Sequence, residues 1–201
     1  NNHASQSTTG DRPRVIANHL NSKTANQFTQ DNDDNGDDMQ LGSLSSQFPS
    51  GASWYAMVDL LESNVKRYNI LGVNSANDDR MVAANYSESR PSSFLSYRAN
   101  LSGWNNFPAT GKAIFVYESD SSVFRISVNG TEIGTASAGY SSGSGVWQIG
   151  NRVGSGQAYN GYIAEIVMLN AVLPDATRKI MEGYLAHKWG ASSNLPASHP
   201  Y

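Results

Sequence analysis

Apolar residues recur along this chain in short runs separated by clusters of Gly, Asn, Asp and Ser, the spacing of a β-sandwich or barrel. The pattern is clearest from Val123 to Thr135. Phe124, Ile126 and Val128 alternate with Arg125 and Ser127, so one face is buried and the other wet. Asn129-Gly130 tolerates the positive φ of a type I′ turn, and Thr131-Glu132-Ile133 returns. Trp54 to Leu61 is apolar on both alternations, which predicts a central strand covered on both faces; Lys112 to Glu118 and Gly161 to Leu169 read the same way. Further strands are expected near Arg14–Ala17, Ala25–Thr29, Met39–Leu41, Asn69–Val73, Met81–Ala84, Phe94–Ala99 and Val146–Ile149, with a Gly/Ser loop from Gly139 to Gly145.

One segment has helical spacing. Between Pro174 and Trp189, the residues Ile180, Met181, Tyr184, Leu185 and Trp189 share a face. Pro174 suits a first helical position, Asp175 and His187-Lys188 complement the helix dipole, and Gly190 suits the left-handed position after the end. The expected fold class is therefore all-β: a two-sheet antiparallel β-sandwich, jelly-roll-like, with one C-terminal α-helix, forming a single domain over residues 1–201.

Composition narrows the function classes. The 201 residues carry a net charge of -3 and only 15% charged residues, which argues against a nucleic-acid partner. With no cysteine, disulfides, thiolate metal sites and Cys nucleophiles are excluded. No apolar run approaches the roughly 20 residues that span a bilayer, so membrane insertion is not expected. The first residue is Asn1, and the chain is expected to be part of a larger chain or assembly.

The C-terminal part carries a resemblance. The run Ile149-Gly150-Asn151-Arg152, Tyr159-Asn160-Gly161-Tyr162-Ile163-Ala164-Glu165-Ile166, Glu182-Gly183-Tyr184-Leu185-Ala186-His187-Lys188-Trp189-Gly190, Leu195-Pro196 and His199-Pro200-Tyr201 resembles the end of laminin-G-like, concanavalin A-like domains of bacterial surface adhesins and phage structural proteins. The Asn129-Gly130 hairpin and the Asp37-Asp38-Met39 stretch match as well, whereas the family's Trp-containing first strand is missing, which leaves one sheet edge open. The resemblance implies extracellular, cell-surface or virion-surface exposure, calcium, and ligand binding by edge loops. Fold alone does not identify the ligand.

Candidate chemistry follows from the residues themselves. Asp31-Asn32-Asp33-Asp34-Asn35-Gly36-Asp37-Asp38 opens like an oxygen-ligand calcium loop, with Asp31, Asp33, Asn35 and Asp37 as ligands, although Gly42 stands at the twelfth position in place of a bidentate Glu. Without a cation these carboxylates repel one another. The alternative is a solvated acidic hairpin loop. Glu118-Ser119-Asp120 does not make a complete glycosidase pair, because the following acid is missing and Asp120 is placed to open a turn. Gly139-Tyr140-Ser141-Ser142-Gly143 has the Gly-x-Ser-x-Gly spacing but no helix after it, so no catalytic residue is assigned. Glu165 interrupts a buried strand and needs a partner: a salt bridge or hydrogen bonds, or else a ligand. Glycan sites combine an aromatic platform with amide or carboxylate hydrogen bonds. Trp104 beside Asn105, Tyr140, and Tyr159 beside Asn160 form the expected binding rim. The reading is a non-catalytic carbohydrate-binding or adhesion module, with calcium as cofactor and a glycan or a cell-surface or virion protein as partner. The alternatives are a structural virion protein (capsid decoration or tail fibre) and a peptide-binding adhesin module.

Overall fold

The computed structural model describes residues 4–29, 36–61, 68–73, 80–84, 93–95, 110–136, 145–151 and 158–201. The strands are β1 (Arg14–Leu20), β2 (Lys23–Phe28), β3 (Met39–Gly42), β4 (Gly51–Leu60), β5 (Tyr68–Val73), β6 (Arg80–Ala84), β7 (Ser93–Leu95), β8 (Gly111–Asp120), β9 (Phe124–Val128), β10 (Thr131–Ala136), β11 (Trp147–Ile149) and β12 (Gly161–Leu169). Among the described residues they form two sheets, ordered β1-β2-β12-β4-β8-β9-β10 and β3-β11-β5-β6-β7. Every pairing is antiparallel. The expected two-sheet sandwich with one C-terminal helix is what the chain forms.

The double-sided strands behave as their pattern requires. On β4, Trp54, Ala56, Val58 and Leu60 enter the core between the sheets, while Tyr55 and Met57 point to the outer face. On β8, Ala113, Phe115 and Tyr117 point in and Ile114 and Val116 out. The centre of the inner core is aromatic: Trp54 stacks on Tyr117 at 4.3 Å between centroids and meets Trp147 edge-on at 4.9 Å. Between β9 and β10, Asn129 (φ 50°) and Gly130 (φ 75°) both take positive φ, as a type I′ turn demands.

The outer cluster is closed by the helix α1 (Asp175–Trp189). Pro174 lies just outside it, with extended backbone (φ −55°, ψ 145°), so it caps the helix instead of opening it as expected. Gly190 takes the left-handed conformation (φ 67°, ψ 41°) and returns its N–H to the Ala186 carbonyl. The buried face is also turned relative to the expected one. Ile180 and Tyr184 are 48% and 45% exposed, while Arg178 and Glu182 are buried. The reason is electrostatic: the Glu118 carboxylate, fully buried under the helix, requires cations. Arg125 reaches it at 2.7 Å and Arg178 at 3.8 Å, and Arg178 in turn pairs with Glu182 at 2.9 Å. His199 completes the chain of contacts, 3.2 Å from Glu182, and so pins the C-terminal tail to the helix.

Candidate functional site

Register fixes which segments share an end of the sandwich. Gly161 pairs with both Phe28 and Leu60, and Leu60 with Gly111, so these residues mark one end of the larger sheet. Asp37 donates its N–H to the Thr29 carbonyl, and the Gly150 N–H reaches the Ile70 carbonyl, which brings the beginnings of β3 and β5 and the end of β11 to the same end. Amides tie them together: Asn69 Nδ2 donates to the Asn151 carbonyl at 2.7 Å, and Asn151 Nδ2 to the Gly36 carbonyl at 3.2 Å.

Of the expected metal ligands, Asp31, Asp33 and Asn35 lie outside the described residues. Asp37 is buried, and its Oδ2 accepts hydrogen bonds from the Thr29 N–H (2.7 Å) and hydroxyl (2.8 Å), which ties it to the residue that follows β2. The neighbouring Asp38 is held by Gln148 and Gln6, and burial pushes its carboxyl above the usual range. Among the described residues, no three His, Asp or Glu side chains are grouped so as to hold a metal ion.

Of the expected rim, Trp104, Asn105 and Tyr140 lie outside the described residues. The strand ends that flank Tyr140 belong to the opposite end: Ala136 pairs with Phe124, which pairs with Ser119, and Trp147 pairs with Gly42 and Val73. Asn160 is half-buried at the near end. Tyr159 requires a correction. Its ring has 0% exposure and meets Phe28 edge-on inside the core, so it has no face to offer a sugar. Its hydroxyl instead reaches the backbone carbonyls of Asp59 (3.3 Å) and Tyr162 (3.4 Å).

Those two carbonyls belong to Asp59 and to Tyr162, whose ring is only half-buried. Tyr162 pairs with Asp59 on one side and Gln27 on the other, so all three side chains stand on the outer face. The His19 ring stacks on the Tyr162 ring, 3.5 Å between centroids and 23° apart in plane. His19 Nε2–H donates to Asp59 Oδ2 at 3.1 Å. The His19 and Asp59 side chains keep 24% and 19% exposure. The residues 18, 21 and 22 around the β1–β2 turn take positive φ, and β1 slips register between Ile16 and Leu20, which lets His19 fold over Tyr162. Sequence reading missed this group because His19 lies 143 positions before Tyr162 in the chain; the outward alternation of Tyr162 against Ile163 was its one visible signal.

The remaining candidates are structural. Glu118 is sealed beneath α1; burial pushes its carboxyl up while Arg125 and Arg178 pull it back. Asp120 caps the β8–β9 turn, accepting from the Ser122 and Val123 N–H groups, which lower it below the usual carboxylate range. Glu165 finds its partners on the helix: Trp189 Nε1 at 2.7 Å, Lys188 Nζ at 2.9 Å and the Tyr184 hydroxyl at 3.1 Å. Burial raises this carboxyl, but the three donors outweigh burial and leave it lowered.

No protein-family model matches this sequence, and no curated protein sequence matches it. Solved structures do. Domain 4 of an extracellular GH43 arabinanase from Geobacillus stearothermophilus, determined in complex with arabinotriose, is 12% identical over 89% of this chain and 86% of its own, with a TM-score of 0.61. The binding domain of botulinum neurotoxin DC in complex with rat synaptotagmin II is 14% identical over 87% of this chain, with a TM-score of 0.53. The same toxin domain in complex with SialylT is 15% identical over 89% of this chain, with a TM-score of 0.51. This chain spans 46% and 48% of those two toxin domains, less than half of their length. At such identities the likeness shows the fold alone: the chain shares its two-sheet β-sandwich with these domains.

Proposed function

We propose that this chain is a non-catalytic carbohydrate-binding module of adhesion type, and that it binds a glycan on the outer face of the seven-stranded sheet. The observation that carries this is the His19–Tyr162 ring stack with the Asp59 carboxylate beside it, mounted on paired strands and braced from the core by Tyr159. A ring offers its face to the C–H side of a sugar, and a fixed carboxylate and amide read the hydroxyls. Mounting on strands pre-pays the ordering that a flexible loop would lose on binding. The arabinanase domain supports the reading, since this chain matches most of its length and it was determined with a trisaccharide. The carboxylates Glu118 and Asp120 are committed to an ion pair and a turn, which leaves the Glu-x-Asp stretch no free acid for hydrolysis.

Titration of the ¹⁵N-labelled protein with arabino-oligosaccharides tests the proposal. Saturable shifts are expected at Tyr162, His19, Gln27 and Asp59, and Tyr162→Ala should weaken binding about two- to tenfold, the loss of about one stacking contact. Shifts confined to the opposite end, or wild-type affinity in Tyr162→Ala, would refute it. We also propose calcium at the Asp31–Asp37 segment; Asp37 anchors its base through Thr29 and would supply one oxygen ligand. A secreted or surface setting accords with such a module; among the described residues no helix is long and apolar enough to cross a membrane.

A further inference from the structure

The outer face of the larger sheet carries one continuous cross-strand row, and its charge is uneven. Arg14 on β1 pairs with Gln27 on β2, Gln27 with Tyr162 on β12, Tyr162 with Asp59 on β4, and Asp59 with Lys112 on β8. Directly opposed residues share a face, so these five side chains line up across the strands. With neighbouring strands about 4.8 Å apart, the stretch from Arg14 to Asp59 spans about 14 Å. That is room for more than one sugar ring.

The two ends of the row differ. At the Lys112 end the cation is committed: Nζ donates to the carbonyls of Trp189 (3.4 Å) and Gly190 (3.0 Å), the C-terminus of α1. The Asp59 carboxylate is committed as well, to His19. At the Arg14 end no described residue closes the row. β1 is the edge of its sheet, Arg14 is exposed, and it takes part in no ion pair among the described residues. Lys23, exposed on the same face of β2, is likewise outside every one of those pairs. The row therefore ends in a guanidinium whose planar fork fits a carboxylate.

On the reading that the His19–Tyr162 group is the sugar platform, we infer that the ligand is an acidic saccharide: a ring lies on the platform and a carboxylate of the same chain reaches Arg14. The neutral part of the glycan is held by stacking. The anion supplies selectivity, because the Asp59 carboxylate is already engaged by the His19 Nε2–H at 3.1 Å while Arg14 is left to meet a carboxylate.

Isothermal titration with a neutral arabino-oligosaccharide and an oligogalacturonate of equal length tests this, using the full chain at about 0.02 M and about 0.15 M salt. The acidic sugar should bind about three- to tenfold tighter at the lower salt, the range of a charge-assisted contact on a partly exposed surface. The advantage should shrink at the higher salt. Arg14→Gln should erase it while leaving neutral binding unchanged, and Tyr162→Ala should weaken both sugars. Equal affinity for the two sugars, or an acidic preference that survives Arg14→Gln, overturns the inference and leaves the platform standing. Unchanged binding of both sugars by Tyr162→Ala removes the platform itself.

Discussion

Tyr159 offers the sharpest test of the geometry, because its chain neighbours suggest a binding rim and the structure places it in the core. Two substitutions separate these positions. Tyr159→Ala removes a fully buried ring that packs on Phe28. Large aromatic deletions in a core cost about 3–5 kcal/mol, whereas substitutions at an ordinary surface stay within about 0.5 kcal/mol. Tyr159→Phe keeps the ring and removes only the hydroxyl. That hydroxyl has one proton for two carbonyls, those of Asp59 at 3.3 Å and Tyr162 at 3.4 Å, so the two contacts count as one bond shared between them. Both distances are long. The expected loss is then at the lower end of a typical hydrogen bond, about 0.5–1 kcal/mol. For a chain of 201 residues this amounts to about 1–4 °C in melting temperature. Urea unfolding followed by tryptophan fluorescence measures both, with the slope against denaturant checking that the unfolded state is unchanged. A Tyr159→Ala protein within about 1 kcal/mol of wild type would refute the core position, and with it the brace under Tyr162.

Three further outcomes are expected. Gly190→Ala should cost about 1 kcal/mol in urea unfolding, since Gly190 holds φ at 67° after the last turn of α1 and a side chain there also crowds Asn21. Asp175 is lowered to about 2, chiefly by its bond to Arg178 and then by Lys179. Its contribution is therefore present above the ordinary carboxylate value and fades as pH falls toward 2. Because the side chain is 55% exposed, Asp175→Asn should cost less than about 1 kcal/mol at pH 7, and by thermal melting that cost should shrink as pH falls from the ordinary carboxylate value through about 2. If the Asp31–Asp37 segment holds calcium, excess chelator should lower the melting temperature and added calcium restore it, as ligand linkage requires; an unchanged melting curve removes the calcium proposal.

What was legible in the sequence is what short-range alternation encodes. The Phe124–Thr135 hairpin and the two-faced strands around Trp54, Phe115 and Ile166 each state their burial within a few residues, and the structure follows them. The exposed Ile180 and the buried Arg178 show where this stops. On a helical wheel Ile180 belongs inside and Arg178 outside. The arrangement is reversed by a carboxylate sixty positions away, Glu118, whose charge can be buried only with a cation beside it. Glu165 is the same lesson with a different outcome: its need for a partner was visible in β12, but the identity of Lys188, Tyr184 and Trp189 as donors depends on how α1 lies across the sheet. Tyr159 and Tyr162 flank a short Asn-Gly pair and read alike in one dimension. They are told apart by Gly161, whose φ of 150° and close approach to the Asp59 carbonyl admit no side chain, and which turns one tyrosine inward before the strand sends the other outward.

The position of the helix end decides that Tyr162 is accessible at all. α1 covers the outer face where Tyr55, Met57, Ile114 and Val116 need burial. It stops at Gly190, where Lys112 from β8 and Asn21 from the β1–β2 turn bind its last carbonyls, Asn21 Nδ2 reaching that of Lys188 at 2.9 Å. Lys112 is itself a member of the cross-strand row through Asp59 and Tyr162. The same contact that terminates the helix therefore marks the border of the uncovered face: the apolar cluster and the Glu118–Arg178–Glu182 charges lie beneath the helix, and the polar row with its stacked ring pair lies toward its end. An extra helical turn would need those carbonyls back and would carry its side chains toward the row, so a platform on this sheet and a helix ending at Gly190 are two consequences of one capping arrangement.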